Sequence, residues 1–359
     1  MRGILLMAAL VAAAVTSGAP EPVPPEMHAA SELTTRQLAG QRIVCGFDGR
    51  TAPTSLLNAI ANGEIGGVIL FDDNIRSRRQ VGRMSAAIQA TQRPAPLRPP
   101  VLITIDQEGG QVKRLPGPPK FSAEEMGARG PKAARRQGAA TGGSLRRAGI
   151  NVDLAPVLDV ARPRGFIADQ GRGFSSKPGR VARSGVAFAE GLQRAGVAAT
   201  AKHFPGLGST ATNTDQRPAT IRLSGAKLRR IDEAPYARYI PAGGKLVMIS
   251  SARYPGLGGG ALPASQSRAI ATDELRGRLG FEGVSITDSL EAPGATAGAS
   301  PTAVATRAAA AGSDILLYVH CDAGVKAAAT LRDGLDSGTL DRAEFERSVD
   351  RILALRATL

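Results

Sequence analysis

Short runs of apolar and small residues recur along this chain. They fall at Ile43–Phe47, Gly67–Phe71, Val101–Ile105, Val152–Pro156, Ala198–Ala201, Leu246–Ser250, Val284–Thr287 and Ile315–Val319. None alternates strictly between apolar and polar, so each predicts a strand buried on both faces, as in a parallel sheet covered by helices. The stretches between them have a different period. Val181, Gly185, Phe188, Leu192 and Ala195 repeat at helical spacing, and Gly196 supplies a stop. Thr272–Leu279 and Asp341–Leu355 read the same way. Strand–helix alternation repeated eight times in 359 residues predicts a single-domain (β/α)8 barrel over residues 37–359. An open doubly wound sheet is the other arrangement, but no G-x-G-x-x-G follows an early strand.

In a barrel of this kind the working groups belong at the carboxyl ends of the strands. The run Ala195–Ala201 leads into Lys202 and His203, and Phe204-Pro205-Gly206 then predicts the strand's end. Small polar residues follow, Gly208 to Asp215, with Asp215 as the loop's single carboxylate; such a loop can move. Other strand ends carry Asp106-Gln107-Glu108-Gly109-Gly110 with Arg114 just beyond, the segment Gly171-Arg172-Gly173, and Asp288 after Val284–Thr287. For Asp106 and Asp288 a helix-cap role stays open. If Asp288 faces a pocket with Lys202 and Arg172, those cations keep it ionised, which suits attack on an anomeric carbon. Asp159 and Asp169 read as partners of nearby arginines. No cluster of His, Cys and carboxylates has metal-ligand spacing, so neither metal nor other cofactor is expected.

Lys202-His203-Phe204-Pro205-Gly206 resembles the signature of glycoside hydrolase family 3, specifically its NagZ-type single-domain β-N-acetylglucosaminidases. That family reads Lys-His-Phe-Pro-Gly-His-Gly and, a few residues on, Asp-Ser-His. The stretch from Asp106 to Arg114 is similar to its Asp-Gln-Glu-Gly-Gly-Arg-Val, and Arg172 stands where the family has Arg-Ser-Phe. The resemblance implies that Asp106, Arg114, Arg172, Lys202 and His203 hold the sugar and that Asp288 is the nucleophile. One departure concerns the acid/base, which in the family is the last His of Asp-Ser-His, paired with the Asp. Here Leu207 replaces the first loop His, and Asn213-Thr214-Asp215 replaces the Asp-Ser-His. Asp215 thus takes the acid/base position. His28 and His320 stand outside that segment. Two-domain members take their acid from a second domain; because this chain stops soon after its eighth strand, a barrel loop is expected to supply it. The expected activity is exo-hydrolysis of terminal β-linked N-acetylglucosamine from cell-wall fragments, with retention. A catalytically impaired sugar-binding barrel and a glycoside phosphorylase are the alternatives.

Composition adds compartment and partners. The 45 Lys and Arg outnumber 31 Asp and Glu, for a net +14, and they are scattered over stretches such as Lys132–Arg147 and Arg222–Arg238. The excess is either drift towards Arg, Ala and Gly or a long-range attraction to an anionic envelope polymer. Nucleic acid is disfavoured, because no basic patch is interleaved with aromatics. With no Trp and four Tyr, a small pocket for one terminal sugar fits better than a long stacking cleft. Met1–Ala19 reads as a secretory signal, with Arg2, an apolar run Ile4–Val15 and small residues Ser17-Gly18-Ala19. An uncleaved anchor is the other reading, although the run is short for a bilayer. A flexible leader is expected over 20–36, and the exported protein, secreted or held at the envelope, is expected to be a monomer. Cys45 and Cys321 lie on the first and just after the last predicted strand. A closed barrel makes those strands neighbours, so either a disulfide or two separate thiols is possible.

Overall fold

Eight parallel strands close on themselves in a computed structural model that describes residues 29–359. The expected signal segment, the leader up to residue 28 and His28 lie outside the described residues. In chain order the strands are β1 (Ile43–Gly46), β2 (Gly67–Leu70), β3 (Leu102–Ile105), a hairpin of β4 (Gln107–Gly109) and β5 (Val112–Lys113), then β6 (Val152–Asp153), β7 (Ala198–Phe204), β8 (Leu246–Ile249), β9 (Val284–Thr287) and β10 (Leu316–Tyr318). The barrel order is β10-β1-β2-β3-β6-β7-β8-β9. Its seam is shut by a parallel bridge between Ile286 and Ile315, with Thr287 N–H donating to Ile315 at 2.9 Å and Ile315 N–H to Ser285 at 2.9 Å. Each strand divides its side chains between two apolar surroundings. Val44, Ile69, Leu102, Val152, Leu246, Val284 and Leu317 fill the barrel, whereas Ile43, Cys45, Val68, Ile103 and Val247 meet the helices outside. Both faces being apolar, the strands show no alternation in the sequence.

The outer helices follow from periodicity and caps. The helix Pro178–Arg194 buries Val181, Gly185, Phe188 and Leu192, and packs on Pro131–Arg147. The approach is close: a Cβ on Gly138 would lie 2.1 Å from the Phe188 carbonyl oxygen, so only glycine fits there. Asp341 caps Arg342–Ala357 by accepting the Glu344 N–H at 2.7 Å. That last helix sends Ile352 and Leu355 into the barrel's floor, and its buried Arg356 donates to the carbonyls of Leu97, Pro99 and Pro100.

Three local expectations need correction. The segment 29–36 is not a loose leader: Ala30 and Leu33 are buried, and Thr34 and Gln37 form a reciprocal cap that starts the helix Thr35–Gln41. Strand β7 is longer than the run Ala198–Ala201: it continues through Lys202 and His203 to Phe204, ending where Phe204-Pro205-Gly206 was expected to stop it, with its partner β8 pairing as far as Phe204–Ile249. The β4–β5 hairpin was not foreseen. It turns at Gly109 and Gly110, both at positive φ.

Candidate active site

Successive strands bring their carboxyl ends to one mouth, and the chemistry gathers there. After β3, Asp106 and Glu108 are two residues apart and so share a face. Gln107 between them is buried and fixes the hairpin, accepting from the Arg114 and Leu115 N–H groups and donating to the carbonyls of Leu115 and Pro118. Lys202 on β7 reaches both acids, with Nζ 2.5 Å from Asp106 Oδ1 and 2.7 Å from Glu108 Oε1. Arg172 donates to Glu108 through Nε and Nη2, each at 2.8 Å. Burial alone would raise Glu108, but Arg172 and Lys202 outweigh it and hold the carboxyl at about 2. The reciprocal effect is seen in Lys202 and Arg172: burial pulls both down, while the carboxylates carry both above their ordinary values.

Next to Lys202, His203 is anchored by Asp159, with Nδ1 2.7 Å from Asp159 Oδ2. Asp159 is fully buried. It does not pair with an arginine as the sequence led one to expect, because the adjacent Arg162 turns its guanidinium to Asp232, at 2.7 and 2.8 Å. Asp169 is exposed.

The loop after β7 is tied along its length. Leu207 N–H donates to Asp159 Oδ1 at 2.6 Å, the Gly208 carbonyl accepts from Arg162 N–H, the Thr210 carbonyl from Phe166 N–H and the Thr214 carbonyl from Gly294 N–H. Asn213 does not pair with the Asp215 carboxyl. Its Oδ1 accepts the Asp215 N–H at 2.9 Å and folds a local turn. Asp215 is exposed as a residue but lines the mouth. Desolvation there, with Asp288 next, pushes its carboxyl up to about 6 against the pull of His203 and Arg172. Asp288 follows β9, half-buried, with Oδ1 accepting the Ser289 N–H at 2.9 Å.

One cavity of about 300 Å³ has all seven site residues expected from the sequence in its wall: Asp106, Arg114, Arg172, Lys202, His203, Asp215 and Asp288. Phe71, Phe166, Leu207 and Met248 supply apolar surface. The volume lies at the small end for ligand pockets. Arg114 is held from outside by Asp72 at 2.9 Å, and its buried Nε has no protein partner among the described residues. His320 is not in this wall; it is exposed and pairs with Glu291 at 2.9 Å, which raises its pKa. Among the described residues no group of three or more His, Cys, Asp or Glu could hold a metal ion. Glu108 and Asp159 were given no functional role from the sequence. The i, i+2 spacing from Asp106 was the available signal for Glu108; Asp159 gave none, since its partners are 44 and 48 residues away. Cys45 and Cys321 are joined, with Cα atoms 4.9 Å apart, and so clip β1 to the segment after β10.

A (β/α)8 barrel whose mouth holds two carboxylates with no side-chain donor among the described residues, beside cation–carboxylate pairs, suits the two-carboxylate chemistry of glycoside hydrolysis. Residues 36–355 match the glycosyl hydrolase family 3 N-terminal domain. An uncharacterized secreted glycosyl hydrolase of Arthroderma benhamiae is 40% identical over 330 residues, covering 89% of this chain and 93% of that protein. Among solved structures, a family 3 β-N-acetylglucosaminidase from Paenibacillus superposes with a TM-score of 0.84 at 34% identity; the match covers 91% of this chain but only 63% of that one. The β-N-acetylhexosaminidase of Beutenbergia cavernae gives 0.82 at 31% identity, covering 90% of this chain and 98% of its own. The chain belongs to glycosyl hydrolase family 3.

Proposed function

We propose that this protein is an exported retaining exo-glycosidase that removes terminal β-linked N-acetylglucosamine from cell-wall fragments. The observation that carries the reading is the presence of Asp215 and Asp288 in one sugar-sized cavity, one carboxyl pushed up to about 6 and the other beside it. In the first step the Asp288 carboxylate attacks the anomeric carbon while protonated Asp215 gives its proton to the departing oxygen. Water then attacks the same carbon as Asp215, now ionised, takes its proton, and Asp288 is released. Asp106, Arg114, Arg172, Lys202 and His203 hold the sugar's hydroxyls and acetamido group. The choice of N-acetylglucosamine is supported by the two solved relatives, one a β-N-acetylglucosaminidase and the other a β-N-acetylhexosaminidase. Export is supported by the secreted Arthroderma relative and the character of Met1–Ala19.

The test is turnover of an aryl β-N-acetylglucosaminide followed by proton NMR. The expected result is release of the sugar first as the β anomer. Release of the α anomer would overturn retention. The substitution of Leu207 and Asp215 for the family's histidines favours a second reading, a barrel that binds sugar without cleaving it. Measurable binding of N-acetylglucosamine with no turnover of any aryl glycoside would select that one.

A further inference from the structure

We propose that Asp159 is a positioning residue that sets, through one carboxyl group, both the tautomer of His203 and the start of the loop that carries Asp215. The inference rests on reading the cavity as the sugar site. Both oxygens of Asp159 are committed. Oδ1 accepts from the N–H of Leu207 at 2.6 Å and of His203 at 3.3 Å, and Oδ2 faces His203 Nδ1 at 2.7 Å. A carboxylate offers only acceptors, so the hydrogen of a neutral His203 belongs on Nδ1. Nε2 is then a bare lone pair. No described residue bonds to Nε2, and the ring lines the cavity. His203 is thereby an acceptor for a sugar hydroxyl, set among Lys202, Arg172 and Arg114, which only donate. A cavity built of cationic donors alone could not take up a hydroxyl's hydrogen; its carboxylates and this nitrogen can.

The carboxyl group that orients the His203 ring through Oδ2 also holds Leu207, near the start of the loop, through Oδ1. Further ties lie on Gly208, Thr210 and Thr214, and the chain then reaches Asp215. The geometry of the sugar's hydroxyl contact and the start of the loop that leads to Asp215 are therefore set from one buried carboxyl group.

Asp159→Asn separates the two functions. Its amide oxygen can still accept the Leu207 and His203 N–H groups, while its NH₂ meets Nδ1 and requires a lone pair there, moving the hydrogen to Nε2. Asp159→Ala removes both. The chain has three histidines, so ¹⁵N-histidine spectra are simple, and His203→Gln assigns the signal. The expected result is a neutral His203 with its hydrogen on Nδ1 in the wild type and on Nε2 in Asp159→Asn. Alongside, kcat/KM for the aryl glycoside should fall on the order of a hundredfold, and further in Asp159→Ala. An Nε2-protonated wild type, or an Asn variant with unchanged tautomer and unchanged kinetics, overturns the proposal. The spectra require no turnover. If the protein binds sugar without cleaving it, the tautomer result still stands or falls alone, with N-acetylglucosamine affinity replacing kcat/KM as the second readout. Should Asp159→Asn fail to fold, the wild-type tautomer alone decides.

Discussion

Two buried clusters of arginine and carboxylate sit at opposite ends of the same barrel, and they are built to different rules. At the floor Asp314, fully buried, is ringed by Arg276 at 2.5 Å, Arg351 at 2.7 Å and the Ser285 N–H at 2.8 Å. Burial would raise its pKa, but the two arginines bring it below the ordinary carboxylate value. Every oxygen there is answered by protein. At the mouth Glu108 is satisfied in the same way by Arg172 and Lys202, yet Asp215 and Asp288 beside it accept no side-chain donor among the described residues. The floor cluster closes a structure. The mouth cluster closes only its inner half and leaves Asp215 and Asp288 without a side-chain donor among the described residues.

Several substitutions break or sharpen that contrast. The largest effect is expected from Asp288→Ala, which should cut turnover by about 10⁴-fold or more while sugar binding persists; normal turnover in this variant would sink the assignment of the nucleophile. Asp215→Ala should cost about 10²–10⁴-fold on substrates with poor leaving groups and far less on activated aryl glycosides. Equal losses on both would remove Asp215 from the acid role. The pH profile gives a second check. The Asp215 carboxyl is pushed up to about 6, so in the proposed acid role its proton is present below that pH and lost above it. The rate of glycosyl transfer from poor leaving groups should fall as pH rises through 6, and Asp215→Asn should abolish that limb. In stability terms a raised carboxyl favours the fold below its unfolded value, 3.8, and this contribution is lost as pH climbs through 6.

At the floor, Asp314→Asn strands two arginines and should destabilise the protein by about 3–5 kcal/mol, measured by urea unfolding, with KM unchanged. A shifted KM would mean that the two ends are not independent. The smallest effect is assigned to Glu108→Gln, which loosens Arg172 and Lys202 together. KM should rise about tenfold, roughly 1.4 kcal/mol, with less change in kcat; a variant that loses stability but keeps its KM would make the mouth cluster another floor.

The barrel was legible because short strands apolar on both sides alternate with helices eight times, with no G-x-G-x-x-G after an early strand to favour an open doubly wound sheet. Strand ends, together with the family resemblance, then pointed to seven of the residues that line the cavity. What stayed hidden was pairing over distance. Glu108 meets Arg172 64 residues away and Asp159 meets His203 44 residues away; only the i, i+2 spacing from Asp106 hinted at Glu108, and nothing local distinguished Asp159 from a solvated acid. The loop was legible as a carrier of Asp215 but not as a tethered one, since its ties come from backbone groups such as Phe166 N–H and Gly294 N–H.

The floor has a practical side. Ile352 and Leu355 act as a stopper in the barrel, and Arg356 grips three carbonyls of the 97–100 turn, so the chain's final turns are part of the vessel and not an appendage. Removing the helical turn that carries Leu355 and Arg356 would let water rise beneath the interior layer.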